Sequence, residues 1–271
     1  MENLLLQFLK QVKTTKTCNT YNVYKNALQN WFPNKIINFD LDYLTDTLDM
    51  WTCSQNTKVL RCRVLNKFMK YYSCFHKIEN EYLIKEILQS TTPKEVVPQV
   101  VSFEQYQRIR NYCVWDFDLA ISIALMYQNG LRISEVLNIC TKNYDYATGT
   151  IIIFNTKNGN DYKILLTEQL NEEIYKYCDF DSEYLIHDEN NHQVKEDNFR
   201  QKIKRLCKRA GYPELHCHSF RHGSAVYMLD NNIDLFTIKE HLRHKSLQST
   251  QRYLHIGDKQ RKQVQTLFAN C

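Results

Sequence analysis

Apolar residues recur every three or four positions through most of the first ninety residues, which is the spacing of amphipathic helices. The first clear helix begins at Thr17 or Asn19 and ends at Pro33, a second covers residues 41–51, and a third covers residues 55–72. Serine, threonine and asparagine are favoured at helix N-termini, and proline cannot continue a helix. The sequence therefore predicts a helical first third.

The third helix combines an apolar stripe with several cations. The stripe contains Leu60, Val64, Phe68 and Tyr71. The other faces carry Lys58, Arg61, Arg63, Lys67 and Lys70. Such a helix can pack through its apolar stripe and offer its cations to DNA phosphates, although a solvated basic face is an equally good interpretation.

Two prolines, Pro93 and Pro98, fall within residues 90–101, where no helical period is present. This composition is typical of a linker. We therefore expect a helical first domain at residues 1–89, a linker at residues 90–101 and a second domain at residues 102–271. A flexible joint would let the two domains close around a duplex as a clamp.

The second domain shows both helical and strand patterns. Ser102 and Gln105 form a capping box, and a strongly apolar helix over residues 116–128 ends at Asn129-Gly130. Further helices are predicted at residues 134–139, 170–177, 199–210, 221–229 and 235–242. Residues 150–154 and 162–166, joined by a turn with Asn158-Gly159, indicate a hairpin, and residues near 144–146 add a third strand. The predicted fold class is mainly α with a small antiparallel β-sheet in the second domain.

Composition restricts the function classes. Of the 271 residues 43% are hydrophobic, and only six are glycine and four proline, which disfavours a disordered or all-β chain. Residues 1–12 contain only a run of three leucines near an acidic residue, and no later stretch reaches 18 apolar residues, so neither a signal peptide nor a membrane span is predicted. The ten cysteines include no C-x-x-C pair, so we expect reduced thiols. A zinc site at His216, Cys217 and His218 is a minor alternative.

The net charge of +5 is unevenly distributed. Counted along the sequence, residues 1–97 carry +4, residues 98–200 carry −7 and residues 201–271 carry +8. Two basic regions around an acidic middle suggest surfaces that face a polyanion. Charge alone leaves a protein that binds no nucleic acid equally open.

A set of polar residues in the second domain has the inventory of a phosphoryl-transfer site. In chain order these are Gly130-Leu131-Arg132-Ile133-Ser134-Glu135, Lys157, His218-x-x-Arg221-His222, Leu242-Arg243-His244 and Tyr253. The intervals are 25 residues from Arg132 to Lys157, 26 from His218 to His244 and nine from His244 to Tyr253. Together the motifs and intervals resemble the tyrosine recombinase (phage integrase) family over roughly residues 100–260. The family usually has Leu-Gly-His where this chain has Leu242-Arg243-His244, which leaves the local backbone open.

The resemblance implies an enzyme that cuts and rejoins DNA through a 3′-phosphotyrosyl bond and a Holliday junction, without a cofactor or metal. Tyr253 would be the nucleophile, and Arg132 and Arg221 would clamp the phosphate. Lys157 would be the general acid and His218 the base. His244 would donate a hydrogen bond to the phosphate, and Lys163 is the alternative to Lys157. Glu135 would orient His218 or Arg132, or it is a plain carboxylate at a helix start. The histidines expected to be structural are His216, His222 and His241.

The resemblance also implies partners. The first domain looks like a core-binding domain, and the chain is similar to simple recombinases without an arm-binding module. We expect binding to double-stranded DNA by the third helix and by Arg200, Lys202 and Arg205. Four identical subunits would pair two sites, while the free protein would be a monomer or weak oligomer. Residues 257–271 would dock onto a neighbouring subunit or fold back onto their own domain.

Two alternatives remain at this stage. The same chemistry serves type IB topoisomerases and hairpin-resolving enzymes, which do not exchange partners. A catalytically inactive DNA-binding regulator would keep the fold without the reaction. The expected location is the cytoplasmic nucleoid, or the nucleus or a viral factory in a eukaryotic host.

Overall fold

The computed structural model describes residues 2–94, 97–154 and 161–255. Helices make up 59% of it, and the sheet has three antiparallel strands, so the predicted fold class is confirmed. The chain divides into two compact units, residues 1–96 and 97–271. None of the described helices is both long and apolar enough to span a membrane.

The first unit is helical. Its helices are α1 (Glu2–Thr15), α2 (Cys18–Trp31), α3 (Leu41–Met50), α4 (Gln55–Tyr72) and α5 (Glu81–Ser90). Thr17, Asp40 and Ser54 each accept a hydrogen bond from the backbone N–H three residues later, so the three predicted helices begin at side-chain caps. Trp31 and Phe68 are fully buried in the core of this unit.

The predicted apolar stripe of α4 is partly wrong. Val64 and Phe68 are buried, but Leu60 is 44% exposed and Tyr71 is only half-buried. The residues that complete the buried face are Val59, Cys62, Leu65, Met69 and Tyr72. Helix α4 packs against α1, α2 and α5, so its buried face is wider than a single stripe.

The second unit combines eight helices of the described residues with the sheet. The elements are α6 (Phe103–Asn111), α7 (Phe117–Gln128), α8 (Ile133–Val136), β1 (Tyr144–Asp145), β2 (Thr150–Ile153), β3 (Tyr162–Leu165), α9 (Glu168–Tyr177), α10 (Glu196–Arg209), α11 (Cys217–Asp230), α12 (Leu235–His241) and α13 (Gln248–Gln251). Short 3₁₀ turns lie at Thr141–Asn143 and Arg252–His255. The strand order is β1-β2-β3, with Ile151 opposite Ile164.

Helices α7 and α11 pack closely in the core of the second unit. Every residue of α7 from Leu119 to Tyr127 is buried, which explains its uniformly apolar sequence. A Cβ atom on Gly223 of α11 would lie 2.2 Å from the carbonyl oxygen of Val101 and 2.8 Å from the Tyr127 ring. Glycine is therefore required at this helix contact.

Two predicted helix bounds differ in ways that affect the site. The helix predicted at residues 134–139 is a single turn, Ile133–Val136, so Arg132 directly precedes it. The helix predicted at residues 221–229 begins four residues earlier, at Cys217, and therefore carries both His218 and Arg221. In the predicted linker, Lys94 is hydrogen-bonded to Asn56.

Candidate active site

Arg221 lies inside the second unit on helix α11. Its side chain is only 4% exposed, and its guanidinium donates hydrogen bonds to the backbone carbonyls of Gly130 and Leu242. Burial, helped by the charges of Arg132 and Arg243, lowers the pKa of Arg221 to about 9. The group therefore still carries its charge at neutral pH.

Arg132 follows the turn that ends α7. Gly130 makes this turn with a φ of +58°, a conformation that glycine adopts at little cost. The Arg132 backbone N–H donates to Glu135 Oε2 at 2.8 Å, and its Nη1 donates to Glu135 Oε1 at 2.6 Å. The Arg132 side chain is 38% exposed, so a phosphate in solvent can reach it.

Glu135 lies among three guanidinium groups. Besides Arg132, its Oε2 is 3.3 Å from Nη2 of Arg243 and 3.9 Å from Nη1 of Arg221. Burial alone would raise the pKa of Glu135, but Arg243, the Arg132 N–H, and the Arg132 and Arg221 charges hold it below its ordinary value. These four residues, here called the arginine cluster, therefore keep two positive charges uncompensated.

Arg243 has a backbone conformation that favours glycine. Its φ is +55°, in the left-handed region. Its side chain is 3% exposed and donates to the carbonyls of His241 at 2.8 Å and Gly130 at 2.9 Å. The position where the family usually has glycine therefore carries a buried cation in this chain.

Tyr253 packs against its own domain next to the arginine cluster. The side chain is 1% exposed, and its apolar neighbours are Ala225, Leu229, Ile238 and Leu242. Its hydroxyl is 2.8 Å from Nδ1 of His222. His222, predicted to be structural, therefore contacts the predicted nucleophile. His222 follows Arg221 and lies four residues after His218 on the same helix face, and that spacing was the available signal.

The other two histidines of the motifs lie close by. The His244 ring stacks on Tyr253 with centroids 6.4 Å apart, while its Nδ1 is 2.8 Å from Thr250 Oγ1. The His218 ring is exposed and lies 6.3 Å from the His222 ring. Desolvation, and then the positive charge of Arg200, lower the pKa of His218, so its neutral form dominates at neutral pH.

The lysine is the one member of the predicted catalytic set whose position is open. Lys157 lies outside the described residues. The alternative, Lys163, is exposed on β3 and lines a cavity of about 190 Å³ together with His241 and Arg243. Both lysines therefore stay predictions.

The cations of α4 differ in their availability for DNA. Lys58 donates to a backbone carbonyl at 2.9 Å, and Arg61 lies over the Trp51 ring at 4.5 Å. Lys67 donates to the hydroxyl of Tyr24 at 2.7 Å. Arg63 and Lys70 are exposed, so they are the better candidates for phosphate contacts.

The cations of α10 are near acidic side chains. Arg200 pairs with Glu196 on the same helix, and Lys202 Nζ is 3.2 Å from Asp116 Oδ2. Arg205 is exposed. Their contact with DNA stays a prediction, and residues 257–271, the predicted docking tail, lie outside the described residues. Within the described ranges no group of three His, Cys, Asp or Glu side chains could hold a metal ion, which speaks against the zinc alternative.

Comparison with known proteins identifies the chain. The model of the phage integrase family matches residues 90–260, more than half of the sequence. This chain belongs to the phage integrase family. As the motifs predicted, this integrase-family protein is a tyrosine recombinase, a site-specific enzyme that breaks and rejoins DNA.

Two relatives of this recombinase match most of its length. The tyrosine recombinase XerA of Saccharolobus solfataricus is 27% identical over 252 residues, 88% of this chain and 82% of that protein. The tyrosine recombinase XerC of Staphylococcus haemolyticus is 24% identical over 286 residues, 97% of this chain and 96% of that protein.

Solved structures share the fold at lower identity. The XerH site-specific recombinase bound to a palindromic difH substrate, a post-cleavage complex, has a TM-score of 0.78 and 18% identity, covering 99% of this chain and 85% of that one. A lambda integrase tetramer bound to a Holliday junction has a TM-score of 0.75 and 15% identity, covering 90% of this chain and 77% of that one. The recombinase fold therefore extends over nearly the whole chain.

Proposed function

We propose that this recombinase cleaves double-stranded DNA with the hydroxyl of Tyr253 and rejoins it to a second duplex at paired sites. The observation that carries the proposal is the bond between the Tyr253 hydroxyl and His222, next to Arg221 on one helix. The proposed nucleophile and proton acceptor thus lie next to Arg221, a member of the arginine cluster, which has two uncompensated positive charges.

The covalent step balances with the groups available. The phenol oxygen of Tyr253 forms a bond to the scissile phosphorus while the bond from phosphorus to the 5′ oxygen breaks. The phenol proton passes to His222, which is bonded to it, and the leaving 5′ oxygen takes a proton from Lys157 or Lys163. A free 5′ hydroxyl of the other duplex reverses these steps, so rejoining needs no ATP.

The arginines are proposed to hold the non-bridging oxygens. Arg132 reaches solvent, and the two carbonyls bonded to Arg221 leave it further donors, because a guanidinium has five N–H groups. Positive charge placed where negative charge develops stabilises the transition state. His244 is proposed to donate to the same phosphate. His218, predicted from the sequence as the base, is proposed to donate there too, because the Tyr253 hydroxyl is bonded to His222 instead.

Cleavage is proposed to occur in cis. Tyr253 is 1% exposed, so its phenol must move outward to meet a backbone phosphate, but it already lies in the same subunit as the cluster. A mixture of Tyr253→Phe and Arg132→Ala proteins tests this. Cis action predicts no cleavage by the mixture, whereas delivery of the tyrosine between subunits predicts that cleavage returns.

Assembly follows from the same proposal. A lambda integrase structure contains a tetramer on a Holliday junction, and we propose four copies of this chain on two paired sites, with a monomer or weak oligomer before DNA binding. Arg63 and Lys70 of the first unit and Arg205 of the second would contact phosphates, and residues 257–271 would dock onto a neighbouring copy. The enzyme would act in a nucleoid, or in the nucleus or a viral factory of a eukaryotic host.

The direct test uses labelled duplexes from the DNA that flanks the gene, each nicked so that the short 5′-hydroxyl fragment diffuses away after cleavage. We expect a denaturant-resistant adduct on the 3′ end with the native protein and none with Tyr253→Phe. An adduct that persists in Tyr253→Phe overturns the assignment. Relaxation of supercoiled plasmid by the monomer without site preference would favour a topoisomerase-like enzyme, and binding without any adduct would favour a regulator.

A further inference from the structure

Arg243 lies at a backbone position that favours glycine. Its φ of +55° is one that side chains rarely adopt. The usual glycine of this motif would be free of that strain. An arginine at this position therefore suggests that its side chain has a role.

The side chain joins two turns that shape the site. Nη1 donates to the carbonyls of His241 at 2.8 Å and Asn129 at 3.3 Å, and Nη2 donates to the carbonyl of Gly130 at 2.9 Å. The first carbonyl lies at the end of α12, and the other two lie in the turn between α7 and Arg132. Arg243 therefore fixes the backbone that leads directly to Arg132, one of the two arginines proposed to bind the phosphate.

Arg243 also sets the charge of the arginine cluster. With it, three guanidinium groups surround the single carboxylate of Glu135, and two positive charges remain. Without Arg243, Glu135 would compensate the charge of either Arg132 or Arg221, and one positive charge would remain. Charge interactions are stronger in a partly buried site than in water, so this difference bears on phosphate binding.

We propose that Arg243 is a positioning residue that compensates the charge of Glu135 and fixes the turn before Arg132, so that Arg132 and Arg221 both keep their charge for the phosphate. This inference rests on the proposed cleavage function. It deepens that function by assigning a charge-balancing role that the usual glycine does not supply.

The test combines Arg243→Met with Glu135→Gln. Arg243→Met is expected to slow single-turnover cleavage about 10²-fold, the order found when one stabilising donor is lost, while Arg243→Lys keeps most of the rate. The double variant has two uncompensated charges again, so we expect it to regain at least about tenfold over Arg243→Met. A double variant no faster than Arg243→Met, or Arg243→Met as fast as the native protein, overturns the proposal.

Two controls separate positioning from folding and from general charge loss. Arg243→Gly relieves the backbone strain, so it should fold as stably as the native protein and still cleave slowly; native-like cleavage by it would show that the side chain has no role. Lys176→Met removes an exposed lysine of α9 and should leave the rate unchanged.

A readout that needs no cleavage distinguishes the two proposals. Inorganic phosphate should raise the thermal midpoint of the native protein, raise that of Arg243→Met less, and raise that of the double variant as in the native protein. If no duplex gives an adduct but this pattern holds, the cleavage function fails and the role of Arg243 stands. If adducts form but the pattern is absent, the role of Arg243 alone fails.

Discussion

Replacing His222 by glutamine separates two roles that its contact with Tyr253 allows. Nδ1 of His222 is 2.8 Å from the phenol oxygen, so the ring can position the hydroxyl, accept its proton, or do both. A glutamine amide can keep the hydrogen bond but cannot take a proton. Phenylalanine at the same position removes both functions.

The two roles differ in magnitude. One hydrogen bond contributes about 1 kcal/mol to stability, which corresponds to roughly 2–4 °C in the thermal midpoint of a unit of this size. His222→Phe should therefore lower the midpoint by about that amount, and His222→Gln by less. A general base contributes about 10²–10⁴-fold in rate, or about 3–5 kcal/mol of the barrier. If His222 accepts the proton, its replacement should therefore raise the activation barrier by much more than it lowers the free energy of unfolding.

The assay is single-turnover cleavage of a nicked duplex over a range of pH. The native rate should fall on acidification, because a protonated imidazole cannot accept the phenol proton. His222→Gln should cleave as slowly as His222→Phe, and its rate should no longer decrease at low pH. His218→Gln should retain the decrease. Native-like cleavage by His222→Gln, or loss of the fall in His218→Gln alone, would refute the reasoning.

Three further predictions concern single residues. One of the variants Lys157→Ala and Lys163→Ala should slow cleavage. That variant should recover its rate on a duplex with sulfur in place of the bridging 5′ oxygen, because a thiolate leaves without a proton. No recovery in either variant would argue against a lysine as the general acid. In salt titrations, Arg63→Ala should reduce by about 1 the slope of the logarithm of the DNA-binding constant against the logarithm of the salt concentration. Lys58→Ala should leave this slope unchanged, because the Lys58 ammonium is bonded to a backbone carbonyl. Equal effects of the two variants would contradict the distinction. Gly223→Ala should lower the free energy of unfolding by about 3 kcal/mol in urea titrations, because its Cβ would lie 2.2 Å from a backbone oxygen; native stability would contradict that packing.

Features that depend on neighbouring residues could be predicted from the sequence. The capping box of Ser102 and Gln105 is present, and α7 ends at the predicted Asn129-Gly130 turn. The hairpin strands differ from their predicted ends by one residue each. Caps, turns and alternation are local, so the residues that cause them lie within a few positions of one another.

Features that depend on distant segments could not be predicted. Arg243 and Glu135 are 108 residues apart, and His222 and Tyr253 are 31 apart. No local pattern states which guanidinium meets which carboxylate after folding. The apolar stripe of α4 was misplaced for a related reason, because helices α1, α2 and α5 together set which of its residues are buried.

The most direct test of the account is to identify the residue that carries the DNA. Protease digestion of the trapped adduct, followed by mass spectrometry of the nucleotide-bearing peptide, locates the bond. The account predicts a 3′-phosphate ester on the hydroxyl of Tyr253. A nucleotide on Tyr227 or Tyr212, or a bond to a 5′ phosphate, would contradict it.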